Sequence, residues 1–375
     1  MKYGFTTGSA ATAAAKAALL YMITGKEKEV MVQTPSGAVY IPSVYGLDCK
    51  KKTDGEINTG DLACCYVLKE SGDDPDITSG MEIHAKVTVT DSKEIIITGG
   101  RGIGKVTRPG LDQPVGEFAI NSVPRKMITE AVRDLLFEHH LECGVEVEIS
   151  APEGEEISKK TFNPHMGIEG GISVIGTSGI VKPMSTEALL ETIRLDINMQ
   201  YQEGQDTCVI VPGNYGVTFL ENNYHISEKE IVLCSNYVGD SMKFAVNTGF
   251  KKILFCSHIG KMIKVSGGVM NTHSMYGDRR MEFMWDAVKE VIDRGLHLDE
   301  FNIDECNVKK LKERIMDCVS TTAALNIIEE YGMIKSVSDV IVTKTKKYLE
   351  QACSEKASVD VILYENSYGE LARSF

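Results

Sequence analysis

The 375 residues contain a single tryptophan, no CxxC pair, no apolar run long enough to cross a bilayer and no excess of lysine and arginine. Each absence removes a class. Ten cysteines without CxxC or zinc-type histidine spacing build neither a metal centre nor a disulfide framework, so they read as free thiols of a reducing cytosol and no metal ligands are expected. A net charge of -13 and a pI near 5.2 argue against a nucleic-acid partner, which needs a basic face for phosphates. The stretch from Ala10 to Ile23 is too short and too interrupted, by Lys16 and several threonines, to be a membrane span or a signal sequence. The expected location is cytoplasmic, with no membrane partner.

What is present is an ordinary enzyme composition, 43% hydrophobic and 25% charged with 34 glycines. At about 150 residues per domain the length suggests two domains. An Ala-rich helix is predicted over Ser9 to Ile23, with Ser or Thr as N-cap and Gly25 as stop. Alternating β-branched segments follow between Glu29 and Thr98, then a Gly/Pro-rich loop, a helix from Arg125 to His139 and a strand from Val145 to Ile149. Residues 1–160 therefore read as an α+β domain with a mixed sheet, carrying basic loops. A polar stretch, Ala151 to Asn163, serves as connector. From 166 to 375 short apolar strands alternate with helices, beginning with Ile172 to Ile175, and this predicts an α/β domain with a mostly parallel sheet.

Several motifs carry chemistry in one reading and plain structure in another. Gly99 to Lys105 fits the GxxxxGK part of a phosphate loop, but Val106 replaces the magnesium-binding hydroxyl and Pro109-Gly110 forbids the helix that should follow. A phosphate-binding ATPase is thus a minor alternative, while Arg101, Lys105 and Arg108 bring positive charge to this loop. Gly170 to Gly179 is neither GxGxxG nor GxSxG, so no hydride or acyl chemistry follows from it; a ligand loop and a bare strand-turn-helix connection stand equal. Further polar clusters stand at predicted strand ends, at Pro212 to Gly216, Ser235 to Asp240 and Ser257 to Lys261, where an open α/β sheet binds its ligands. Asp240 suits ribose hydroxyls or a helix cap. His258 and His273 suit acid-base work or a hydrogen-bonded structural role. Two windows are locally basic, +3 from Gly99 to Lys126 and +6 from Ser241 to Met281, which favours an anionic small ligand.

Laid out in order, GFTTGSAATAAAKAAL at Gly4 to Leu19, VTRPGLDQPVGEFAINSVPRKMI at Val106 to Ile128, NPHMGIEGGISVIGTSGIVKPMS at Asn163 to Ser185, VPGNYG at Val211 to Gly216, CSNYVGD at Cys234 to Asp240 and HIGKMIKVSGGVMNTHS at His258 to Ser274 resemble the cobalt-precorrin-5B C(1)-methyltransferase family (CbiD) of anaerobic cobalamin biosynthesis. The resemblance implies methyl transfer from S-adenosylmethionine to C1 of cobalt-precorrin-5B, giving cobalt-precorrin-6A, with cobalt present only as part of the substrate. The family's usual Cys is Ala10 here, so no thiol at that place is essential; Phe118 and Ser122 stand where Pro is common.

A carboxylate-edged macrocycle needs cationic and N–H contacts. Arg101, Lys105, Arg108 and Arg125 are the expected substrate residues, joined by Thr6, Thr7 and Ser9 at the first helix N-terminus, where ordinary capping competes. Gly170, Gly171, Gly176, Thr177, Ser178, Asn214 and Asp240 are the expected cofactor residues, with His258 and His273 as catalytic candidates and the corrinoid between the domains. Hand-over to other enzymes of the pathway and a homo-oligomer are left open. A non-catalytic carrier of the corrinoid intermediate is the main competing class.

Overall fold

The computed structural model describes residues 2–27, 29–51, 56–183, 185–295 and 305–375. The chain forms two compact units, residues 1–186 and 187–375.

In the first unit, β1 (Gly4–Phe5) runs directly into α1 (Thr7–Thr24). Thr6, in extended conformation, accepts the Ser9 N–H on its hydroxyl at 3.2 Å and so starts the helix. Gly25 ends it in the left-handed region at φ 62, a conformation that costs a glycine little. Ala10, Ala11, Ala13, Ala14, Ala15 and Ala18 are essentially inaccessible, so this helix is buried on every side.

There follow β2 (Val32–Gln33), β3 (Val39–Tyr40), β4 (Val44–Lys50), β5 (Leu62–Leu68), β6 (Glu82–Thr90), β7 (Ile95–Gly99), β8 (Lys105–Val106), α2 (Ser122–Glu138), β9 (Gly144–Ser150), α3 (Gly154–Ser158), β10 (Ile168–Glu169) and β11 (Ile180–Val181). The main sheet has the order β4-β5-β6-β9-β7; its pairs are antiparallel except for β7, which runs parallel to β9. Ala63, Cys65 and Val67 of β5, Ile83, Ala85, Val87 and Val89 of β6 and Val145, Val147 and Ile149 of β9 form its buried face, the period of two that a half-covered sheet requires. α1 packs on β5 and β6, with α2 beside it.

Two differences from the sequence reading concern residues 151–186. The stretch read as a connector contains α3, and the residues after it belong to the first unit, because β10 pairs with β8 and β11 with β1. Ile172 to Ile175 does not open the parallel sheet. It makes single bridges, Ile172 to Ile103 and Val174 to Ile120, within the first unit. A short apolar run shows burial but not its partners, and here the partners are irregular segments that interrupt any ladder.

The second unit comprises α4 (Thr186–Gln202), β12 (Thr207–Val211), α5 (Asn214–Tyr224), β13 (Ile231–Leu233), α6 (Val238–Thr248), β14 (Lys252–His258), α7 (Ile259–Ser266), α8 (Arg280–Asp293), α9 (Glu305–Met316), α10 (Thr321–Glu330), α11 (Ile334–Ala352), β15 (Ser358–Glu365) and β16 (Gly369–Arg373). Its sheet has the order β13-β12-β14-β15-β16, parallel except for the last strand. Both faces are covered: Ile253 and Phe255 of β14 enter one apolar cluster, Cys256 the other. Strand order reverses between β12 and β14, and in such sheets the crevice beyond the carboxyl ends at that point is the ligand position. No helix among the described residues is long and apolar enough to cross a membrane.

Candidate active site

The sequence-predicted residues fall into two groups, one in each unit. In the first unit, Thr6, Thr7 and Ser9 meet the 173–179 segment. The Gly8 N–H donates to the Ile175 carbonyl at 3.0 Å and the Thr6 N–H to the Gly179 carbonyl at 3.2 Å. The Ser9 hydroxyl donates to the Gly179 carbonyl at 2.7 Å, and the Thr7 hydroxyl accepts the Ile175 N–H at 2.9 Å. These groups close the helix start with internal partners instead of presenting it to an anion. Gly176 lies so close that a Cβ would stand 2.2 Å from the Thr6 hydroxyl oxygen, and one on Gly171 would stand 2.2 Å from the Gly102 carbonyl oxygen. Both glycines permit chain-on-chain packing. Ser178 donates to the Ile180 carbonyl at 3.1 Å, whereas Thr177 and Gly170 are exposed. The five cofactor candidates of this loop therefore lie in the first unit, and the other two, Asn214 and Asp240, in the second.

The Gly99–Lys105 loop is likewise occupied by its own backbone. Gly100 and Gly104 donate to the carbonyls of Ile149 and Ile172 at 2.8 and 2.9 Å. The Ile103 N–H is taken as well, by the Gly100 carbonyl at 3.2 Å, so three of the loop's amides are turned to internal partners and not to a phosphate. The four basic side chains divide sharply. Arg125 is half-buried and donates from Nε to Ile120 O at 2.8 Å and from Nη1 to Ile97 O at 2.9 Å. Arg108 folds over Gly167 and donates to His165 O at 2.7 Å. Arg101 is exposed, and its side chain makes no hydrogen bond or ion pair among the described residues. Lys105 is exposed too, its ammonium 4.9 Å from the Phe118 ring centre.

In the second unit the carboxyl ends of β12, β13, β14 and β15 bring together Asn214, Ser235, Asn236, Asp240, His258, Lys261 and Glu365. α5 and α6 start here without a side-chain cap, behind Gly213 and Tyr237. Asp240 stands in the first turn of α6, where the helix dipole favours its charge, and its carboxylate has no hydrogen bond among the described residues. His258 caps α7: Nδ1 accepts the Gly260 N–H at 3.1 Å, which assigns the proton of the neutral ring to Nε2, 3.8 Å from Glu365. Burial lowers its pKa, and the Glu365 carboxylate opposes that shift only in part. Glu365 itself is buried and accepts from the Ser367 and Tyr368 N–H groups and the Thr322 hydroxyl. His273, exposed, caps the short turn of Ser274–Tyr276 through Met275 N–H at 3.1 Å.

Lys261 was not singled out from sequence, although it ends the cluster Ser257 to Lys261 within the basic window. Its ammonium donates to the Pro212 carbonyl at 3.1 Å and the Ser235 carbonyl at 3.2 Å, tying the loops after β12 and β13 together from α7. The buried thiols are inert, burial holding Cys234 at about 12. No group of three or more metal-binding side chains occurs among the described residues.

The family model described as CbiD matches residues 1–183. Over the longer range, the chain is 39% identical to the cobalt-precorrin-5B C(1)-methyltransferase of Ruminiclostridium cellulolyticum, covering 99% of this chain and 91% of that protein. The chain belongs to the cobalt-precorrin-5B C(1)-methyltransferase family. Proteins of the same name from Alkaliphilus metalliredigens and Thermoanaerobacter sp. are 37% and 38% identical, over 99% and 100% of this chain and 92% and 95% of theirs. Among solved structures, that of a cobalamin biosynthesis protein (cbiD) from Archaeoglobus fulgidus is 23% identical, with 78% of this chain and 84% of that one covered at a TM-score of 0.37. The CbiD model ends near the end of the first unit, so the crevice of the second unit lies in the part shared with the full-length methyltransferases.

Proposed function

We propose that the protein transfers a methyl group from S-adenosylmethionine to C1 of cobalt-precorrin-5B, giving cobalt-precorrin-6A in anaerobic cobalamin biosynthesis. The observation that carries this reading is the similarity, along essentially the whole chain, to proteins bearing that activity as their name. Cobalt enters with the substrate.

The second-unit crevice has groups that suit the methyl donor. Asp240 offers an acceptor for a ribose diol, and α5 begins with uncapped amides behind Gly213, where a Cβ would meet nothing within 4 Å. Asn214, exposed at the start of α5, adds an amide for the polar end. When bound, S-adenosylmethionine supplies a methyl group on a positively charged sulfur, which an electron-rich ring carbon attacks without a protein nucleophile. The chain's own work is then to align that carbon with the methyl and to keep water out. Arg101 and Lys105, exposed and without an ion-pair partner among the described residues, serve the peripheral carboxylates better than Arg108 and Arg125, which are bound to carbonyls. His258 keeps a proton on Nε2 facing Glu365, so it acts by shaping the loop after β14 unless the ring is released from Gly260.

The phosphate-binding alternative is weakened, because the Gly100, Ile103 and Gly104 amides of that loop are engaged internally. Thermal unfolding with each ligand separates the two: S-adenosylmethionine should raise the melting temperature and magnesium-ATP should not, since only a ligand of the native state stabilises it. The reverse pattern would overturn the proposal.

A further inference from the structure

Lys261 and Lys264 lie one turn apart on α7. Lys261 is half-buried, and Lys264 is 8% exposed, its ammonium donating to the Thr272 carbonyl at 3.2 Å. Neither forms an ion pair among the described residues. The charges that act on Lys261 are those of Cys234, a thiol that burial keeps protonated, and Lys264, a like charge. Asp278 is felt by Lys264, but its carboxylate is held by Arg280 through two bonds of 2.7 and 2.6 Å. Withdrawal from water lowers the Lys261 pKa, the direction expected of a cation without a counter-ion.

A partly buried ammonium is retained at such a place only if something offsets its desolvation. Two carbonyls do part of this. An ammonium has three donors, and among the described residues two of those of Lys261 are taken, by the Pro212 and Ser235 carbonyls. Its position matters: the two carbonyls it bridges follow β12 and β13, it sits in the first turn of the helix after β14, and the strand order reverses between β12 and β14. The neighbouring starts of α5 and α6 carry no side-chain caps, although the Gly239 N–H of α6 donates to the Met270 carbonyl at 3.0 Å and the Gly216 N–H of α5 to the Gly213 carbonyl at 2.9 Å.

We propose that this crevice is a carboxylate subsite centred on the Lys261 ammonium, filled when a ligand brings the missing negative charge. The proposal rests on the methyltransferase reading, which supplies two sources of a carboxylate: the amino-acid end of S-adenosylmethionine and the acid side chains of the macrocycle. It adds an anion-binding place in the second unit, whereas the α1 start, which sequence offered for a carboxylate or for plain capping, is closed by its own partners.

The test uses the full chain, as wild type and as Lys261→Met, which keeps the aliphatic stem. Each is titrated with S-adenosylhomocysteine and with S-adenosyl-3-thiopropylamine, the same nucleoside without its carboxylate, and assayed with cobalt-precorrin-5B. An amino-acid carboxylate on Lys261 predicts a loss of about 30-fold or more for S-adenosylhomocysteine, with the decarboxylated nucleoside changing less than about two-fold. A macrocycle carboxylate there predicts unchanged nucleoside affinities and a KM for cobalt-precorrin-5B raised by a similar factor. Equal weakening of both nucleosides, or no change in any of the three, would overturn the subsite while leaving the proposed function standing. Failure of the wild type to bind either nucleoside would overturn both.

Discussion

At the scale of single residues, identical charges do different work according to what surrounds them. Arg125 and Arg101 share one basic window, yet Arg125 ties the middle of β7 to the entry of α2 through Ile97 O and Ile120 O, while Arg101 is exposed. Removing a charged donor from two carbonyls leaves both without their partner. Arg125→Ala should therefore lower stability by about 2 kcal/mol in denaturant unfolding. Arg101→Ala should change it by less than about 0.5 kcal/mol and instead raise the KM for the corrinoid. Spacing shows that a cation is present; only the fold shows whether a carbonyl already holds it, which is why Arg125 reads from sequence as a substrate contact.

His258 gives a pH signature. Burial holds its folded pKa below the ordinary 6.5, so the unfolded chain binds the proton first as pH falls. Stability is then undiminished above about 6.5 and declines through the window between that value and the lower folded pKa. His258→Asn keeps an acceptor for the Gly260 N–H and removes the titration. It should flatten this part of the stability–pH curve measured by urea unfolding; an unchanged slope would assign the decline to another group.

At the scale of elements, α1 shows how sequence and packing agree. Its alanines predict a helix, and their smallness on every side permits burial between α2 and the β5–β6 face. Ala14 has no accessible surface, and its carbonyl accepts the Cys65 thiol at 3.2 Å. Ala14→Leu adds volume where none is free and should cost about 1–3 kcal/mol, read as a lowered melting temperature, despite leucine's good helix propensity. Periodicity also located α2, α4, α6 and β12 to within a few residues. It misplaced Ile172 to Ile175, whose apolar character reflects burial beneath non-local bridges to Ile103 and Ile120.

At the scale of the whole molecule, strand-helix alternation was enough to read a mostly parallel sheet in the second unit and β-rich alternation a mixed one in the first. The end of the first unit was less legible, since it depends on β10 and β11 returning to β8 and β1, pairings that no local pattern announces. The same holds for the candidate site. Polar strand-end loops pointed to the second-unit crevice, whereas the glycines of the 170–179 loop carried a packing signal that looked like a ligand signal. Within the cobalt-precorrin-5B C(1)-methyltransferase family, the central claim is that this chain is the catalyst rather than a carrier of the corrinoid. The purified chain, incubated with cobalt-precorrin-5B and methyl-labelled S-adenosylmethionine, tests it most directly. Time-dependent appearance of label at C1 of the macrocycle, abolished by omitting the chain, is the predicted result; tight binding of the corrinoid with no label transferred would contradict it.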